Sequence, residues 1–154
     1  MTKPPDGSPT LFPDGQSVNK PPVLISACLL GIPCRWHGRR PKRRDELINK
    51  LKQRFVLVPV CPEQLGGMST PRTGETLRGH SGAEVLDNGF RIIAPETGCD
   101  VTKFYINGAN YTLEMARIVG ACQAYLKGGS PACDAKGVTG EFLSRAGIKV
   151  IRIG

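Results

Sequence analysis

Short apolar runs and helical patterns take turns along this chain, and that alternation constrains its fold more than any other feature. The runs are Val23–Ser26, Phe55–Val60, Ala124–Lys127 and Ile148–Ile153. Each is bounded by turn-forming residues and reads as a strand. Between them lie helical patterns. One spans about Arg43 to Gln53, with Leu47, Ile48 and Leu51 on one face. Another runs from Val101, capped by Asp100, to about Gln123, interrupted weakly at Gly108. A third covers Gly137 to Ala146. Strands alternating with helices predict an α/β fold: one three-layer domain, Rossmann-like, with a mostly parallel sheet covered on both faces. Phe55–Val60 is apolar on both faces, which predicts a central strand. Glu84–Leu86 and Phe90–Ile93 flank Asp87-Asn88-Gly89, the pattern of a small edge hairpin. Gln64–Gly82 is a long polar stretch, expected to be a functional loop. Residues 1–22, rich in proline, are expected to form a flexible arm ahead of a domain over 23–154.

Six cysteines stand in a chain with no apolar run long enough to span a bilayer. Residues 1–22 lack the plan of a signal peptide. The expected compartment is therefore the cytoplasm, where thiols stay reduced and cysteines serve metal or redox chemistry more than disulfides. The net charge of +8 is concentrated between Arg35 and Arg54, where Arg39, Arg40, Lys42, Arg43, Arg44, Lys50 and Lys52 face only Asp45 and Glu46. Such a stretch attracts phosphate, nucleotide or nucleic acid; the plainer reading is a solvated helix face with a basic loop. Aromatic residues are not interleaved with it, which argues against a stacking platform for single strands.

Three of the cysteines sit at the expected ends of three strands: Cys28 after Val23–Ser26, Cys61 after Phe55–Val60, and Cys133 after Ala124–Lys127. Ligands of open α/β sheets bind at the carboxyl ends of strands. Three thiolates converging there make a seat for a metal centre with one position open, as catalytic metals have. Cys34, six residues beyond Cys28, is placed to share or close that site. Cys122 fits a packing role inside a helix pattern, and Cys99 a free thiol in a turn. Glu63, two residues after Cys61, suits a general base or proton shuttle. The bland reading of Glu63 is a surface or capping carboxylate. Ser130 suits a hydroxyl donor, or a plain turn serine before Pro131. His37 and His80 both fall in loops. No Ser/His/Asp order, phosphate loop or dinucleotide glycine fingerprint is present.

One ordered set of segments resembles the thiouracil desulfidase family, long catalogued as a small bacterial domain of unknown function. The segments are Ser26–Gly31, Cys34–Gly38, Pro59–Glu63, Thr70–Arg72, Val101–Thr102 with Phe104 and Gly108–Ala109, Leu126–Lys127 with Ser130–Cys133, and Gly137–Thr139. The resemblance implies an oxygen-sensitive 4Fe–4S cluster on Cys28, Cys61 and Cys133, its fourth iron without a protein ligand. It also implies removal of sulfur from a thiolated pyrimidine, base or nucleoside, to give the oxo base and sulfide. Glu63 and Ser130 match the family's proposed catalytic carboxylate and hydroxyl. Arg35 and Arg72 are taken as substrate-contacting cations. Two other readings stay open: a non-enzymatic zinc or iron–sulfur protein closed by Cys34, and a protein that binds thiolated RNA.

Overall fold

The computed structural model describes residues 20–154. The expected arm therefore lies outside the described residues, except that Pro22 already begins the first strand. In chain order the elements are β1 (Pro22–Ser26), a 3-10 turn (Ala27–Leu30), α1 (Asp45–Lys52), β2 (Val56–Val60), α2 (Pro62–Leu65), α3 (Gly82–Asp87), α4 (Thr102–Val119), β3 (Gln123–Lys127), α5 (Val138–Arg145) and β4 (Lys149–Ile153). The strands form a four-stranded sheet in the order β2-β1-β3-β4, every pair parallel.

Side chains alternate across the sheet, so each strand feeds two cores. Leu24, Ala124 and Leu126 point to one face and meet Leu113 and Ala116 of α4 and Leu143 of α5. Val23, Ile25 and Tyr125 point to the other and meet Leu51 of α1 and Phe55. The expected three layers are present, with α1 on one face and α4 and α5 on the other. A further cluster, around Val85, Ile92, Tyr105, Ala109 and Val138, packs α3 against α4 and α5.

Two expectations about the elements need correction. The run Phe55–Val60 supplies an edge strand, not a central one: β1 and β3 occupy the middle, and Val56 is 39% exposed. Pro59 carries the physical reason. It has no N–H for a ladder, so a strand containing it belongs at an edge. The expected hairpin is absent as well. Ser81 and Glu84 form a reciprocal capping box that starts α3 at Gly82. Asn88 then ends the helix, and Gly89 takes a φ of +68°, so the Asn-Gly pair closes a helix instead of turning two strands. Only Ile93 makes an antiparallel bridge there, to Asp100.

α4 is shorter than expected, because Gly120 caps it in the left-handed region at φ +75°. Asp100 Oδ1 accepts the Thr102 N–H at 3.0 Å, as expected of a residue at that helix start. Gly108 is no weak interruption. A Cβ there would lie 2.0 Å from the Pro62 carbonyl oxygen, and one at Gly66 would lie 2.0 Å from the Phe104 carbonyl oxygen. The two glycines let α2 and α4 touch backbone to backbone, and α2 carries the residues that follow β2.

Candidate metal centre

Because the sheet is all parallel, its carboxyl ends lie along one edge. The chain leaving the three adjacent strands β2, β1 and β3 carries Cys61, Cys28 and Cys133 across that edge. Cys28 lies in the 3-10 turn directly after β1. Cys61 joins β2 to α2, with Pro62 at the first helical position, where its missing N–H costs nothing. Cys133 lies in the turn after β3, whose backbone Ser130 and Asp134 hold. Ser130 Oγ accepts the N–H groups of Ala132 and Cys133 at 3.2 and 3.0 Å. Asp134 accepts those of Gly129 and Lys136 and binds Arg152. Cys34 folds back across Gly31, which sits at φ +83°. All four cysteines line one cavity of about 590 Å³, together with Ser26, Arg35, Glu63, Lys127 and Ser130.

The thiols interact. Cys34, buried at 3% exposure, packs against Cys28 and Cys61, and the Cys61 thiol donates to the Cys34 carbonyl at 3.7 Å. Hydrogen bonding with those two sulfurs, and then burial, pushes the Cys34 thiol well above its ordinary range. The bond from Cys34 is the largest influence on Cys28, and it lowers the Cys28 thiol below its ordinary value against burial, helped by Arg35 and Lys127. The same donor lowers Cys61, also against burial, with help from the Gln64 N–H. Burial pushes Cys133 the other way, partly offset by a hydrogen bond from Ser26.

These donors fit an iron–sulfur cluster, which takes soft thiolates. Among the described residues, no three His, Cys, Asp or Glu side chains close around one point tightly enough for a metal ion. A lone zinc draws thiolates to about 2.3 Å, whereas an iron–sulfur cluster spreads its cysteines over separate irons. Soft thiolates at three strand ends, in a cavity of this size, fit that larger group.

Beside the thiols lies a polar network. Glu63, 14% exposed at its side chain, accepts a hydrogen bond from the Arg72 guanidinium and another from the Tyr105 hydroxyl at 2.8 Å. Tyr105 also lies 3.3 Å from Glu75 Oε2, and Thr73 donates to the other Glu75 oxygen. Burial and then the Glu63 charge push the Tyr105 hydroxyl well above its ordinary range, so it remains a donor.

The chain matches the 2-thiouracil desulfurase family over residues 23–152. It belongs to that family. It is 38% identical over 144 residues to the uncharacterized protein YbbK of Bacillus subtilis (strain 168), a match covering 84% of this chain and 93% of the relative. Its fold is similar to that of a solved [4Fe-4S]-dependent thiouracil desulfidase, TudS, with a TM-score of 0.69 and 29% identity, over 86% of this chain and 91% of that one.

For this desulfurase-family chain, the expected site residues are brought together unevenly. Cys28, Cys34, Cys61, Cys133, Glu63, Ser130 and Arg35 all line the cavity. Arg72 is not among those lining residues. Its side chain is 4% exposed. Its two terminal nitrogens are taken by the carbonyls of Ser69 and Cys34, the Thr70 hydroxyl and Glu63, while Nε is buried without a partner. Burial works against its charge and Glu63 outweighs that, so Arg72 anchors Glu63 and the Cys34 loop. Cys122, expected to be packed in a helix, is exposed in the link between α4 and β3, and Cys99 is exposed in a turn. His37 and His80 lie in loops, and neither lines the cavity. No described helix is long and apolar enough to cross a membrane.

Sequence reasoning missed Tyr105, Glu75 and Trp36. Tyr105 sits on α4 among apolar positions, where nothing in the sequence sets its hydroxyl apart. Glu75 is only 6% exposed yet lies in a stretch of Gly, Thr and Arg that reads as solvated loop. The one signal available was its place inside that long loop.

Proposed function

We propose that this protein removes the sulfur of a thiolated pyrimidine such as 2-thiouracil, leaving the oxo base and sulfide, with a 4Fe–4S cluster held by Cys28, Cys61 and Cys133. The observation that carries the proposal is the meeting of thiols from the ends of three adjacent parallel strands in one cavity, in a chain of this family. When bound, the cluster supplies a soft Lewis acid for the thiocarbonyl sulfur.

The protein's own part follows from the lining. Glu63 is fixed by Arg72 and Tyr105 and faces the same cavity, where it takes a proton from the attacking water. The two N–H bonds to Ser130 Oγ use lone pairs and leave its O–H to donate to the base or to the oxygen that forms at the ring carbon. Arg35 and Lys127 place positive charge beside the thiolates and offer donors to the ring carbonyl. The substrate is a small free base or nucleoside, and the reducing cytoplasm keeps the thiols available.

One observation favours a second reading. Cys34 touches both Cys28 and Cys61, so it is placed to act as a fourth ligand and close the site. Anaerobic iron, sulfide and visible-absorption measurements on wild type, Cys28→Ala, Cys34→Ala and Cys133→Ala separate the two. We expect loss of the cluster with Cys28→Ala and Cys133→Ala, and its retention with Cys34→Ala together with 2-thiouracil turnover. Equal loss with all three variants, or a wild type without iron, would overturn the three-cysteine reading.

A further inference from the structure

The cavity has one aromatic wall. Among its lining residues only Trp36 carries an aromatic ring, and Trp36 is the only tryptophan of the chain. It is 51% exposed, an unfavourable place for so large an apolar surface unless something covers it. Yet it is not a loose surface residue. Its carbonyl accepts the Arg72 N–H at 2.8 Å, and the turn beneath it is closed by Gly38 N–H to the Arg35 carbonyl at 2.9 Å. The His37 ring meets the indole edge-on, 5.1 Å between centroids and 72° between planes. Gly74 supports the ring from below: a Cβ there would lie 3.3 Å from the indole Cδ2 and 3.5 Å from Cε2 and Cε3. The absence of a side chain at Gly74 lets the indole lie on backbone. Its position is thus set by contacts on three sides while half of its surface stays open.

The rest of the wall is unlike it. Four cysteines line the cavity too, and Arg35, Glu63, Glu75, Glu96 and Lys127 supply charge. The carboxylates and the ammonium orient a ring by its edge, and only the planar Arg35 guanidinium among these groups stacks on a ring face. A flat heterocycle that directs a thiocarbonyl toward the thiols is best held on a broad π surface, and the indole provides the only aromatic one lining the cavity.

We propose that Trp36 is the platform on which the substrate's ring stacks, and that it selects aromatic thiocarbonyl compounds over aliphatic ones. This rests on the desulfurase reading of the site. Stacking is tolerant of ring substituents because every base has a π face. Trp36 therefore selects for a planar aromatic ring and leaves the choice among thiolated pyrimidines to the groups at the ring edge.

The test uses the cluster-loaded protein under anaerobic conditions, with 2-thiouracil as the aromatic probe and thiourea as the non-aromatic one. Truncating a stacking side chain costs about 1–3 kcal/mol per base. For Trp36→Ala that corresponds to a rise of roughly 5- to 150-fold in KM for 2-thiouracil, with kcat little changed. Trp36→Phe keeps a ring and should recover most of the loss. Turnover of thiourea, however slow, should be the same in all three proteins, and iron and sulfide content should not change. A second readout does not depend on turnover: as Trp36 is the sole tryptophan, 2-thiouracil should quench its fluorescence saturably. Unchanged KM in Trp36→Ala with no quenching in wild type would overturn the platform. Saturable quenching in a wild type that turns over no thiocarbonyl would sustain the platform and overturn the desulfurase reading instead.

Discussion

Gly108→Ala is the substitution whose effect can be worked out most fully. In an ordinary helix the change is favourable by about 0.8–1 kcal/mol, because alanine loses less backbone freedom than glycine. Here the added methyl would lie 2.0 Å from the Pro62 carbonyl oxygen and 2.8 Å from its carbon. Both are backbone atoms and cannot rotate away. Restoring contact to about 3.4 Å requires α2 and α4 to part by about 1.4 Å. Overpacking of this kind costs about 1–3 kcal/mol, and a clash with rigid backbone belongs at the upper end. The net expectation is a stability loss of about 1–2 kcal/mol, read by urea unfolding. The larger effect falls on the site. Pro62 lies between Cys61 and Glu63, so the displacement reaches both, and a misplacement of about 1 Å can lower a rate by about 10²-fold. Asn110→Ala is the control, since Asn110 is an exposed residue of the same helix. Activity of Gly108→Ala toward 2-thiouracil should fall far more than its stability, while Asn110→Ala should change neither by much. If Gly108→Ala is as stable and as active as the control, the backbone contact does not position the site, and this reasoning fails.

Tyr105→Phe keeps the buried ring but removes the donor that Glu63 and Glu75 share. Hydrogen bonds to charged groups contribute about 1.5–3 kcal/mol, so urea unfolding should show a loss in that range. Turnover should drop with iron content unchanged, and full activity would show that Arg72 alone positions Glu63. Asp87→Asn tests the link between α3 and α5, where Arg145 Nη1 and Nη2 contact the Asp87 carboxylate at 2.7 and 2.6 Å. The Arg145 hydrogen bonds hold that carboxyl below its usual range. Its contribution is therefore complete above the ordinary value of about 3.9 and fades as pH falls through the lower folded value. The stability gap between wild type and Asp87→Asn should be open at neutral pH and close in acid; a gap independent of pH would exclude the ion pair as its source.

The parts of this architecture legible in the sequence are those where one local pattern has one physical outcome. A run such as Val23–Ser26 that ends in a cysteine and a glycine marks a strand end, and parallel strands put all such ends on one edge. Hence the cavity at Cys28, Cys61 and Cys133 could be anticipated before any coordinates. Where two local signals compete, the reading went astray. The apolar character of Phe55–Val60 outweighed Pro59, although only the proline bears on which neighbours the strand can have. Asp87-Asn88-Gly89 suits a hairpin turn and a helix end equally well, and the capping box at Ser81 and Glu84 decides between them. The Tyr105–Glu63–Glu75 network was out of reach for another reason. It joins α2, α4 and the 70–76 loop, and the approach that brings them together depends on the lack of side chains at Gly66 and Gly108.

That dependence explains why the site is assembled by the fold as a whole. Sheet register sets where Cys28, Cys61 and Cys133 leave the strands. The glycine contact between α2 and α4 brings Tyr105 to Glu63. Arg72 then ties the two systems together, since one guanidinium nitrogen reaches both Glu63 and the Cys34 carbonyl. The carboxylate of the proposed acid–base step and the loop that carries the fourth thiol are held by the same side chain. A change that loosens Arg72 should therefore disturb the thiols and Glu63 together. This makes Arg72→Lys a harsher substitution than its retained charge suggests, because a single ammonium at Glu63 and the Cys34 carbonyl leaves unmade the bonds of the second nitrogen to the Ser69 carbonyl and the Thr70 hydroxyl.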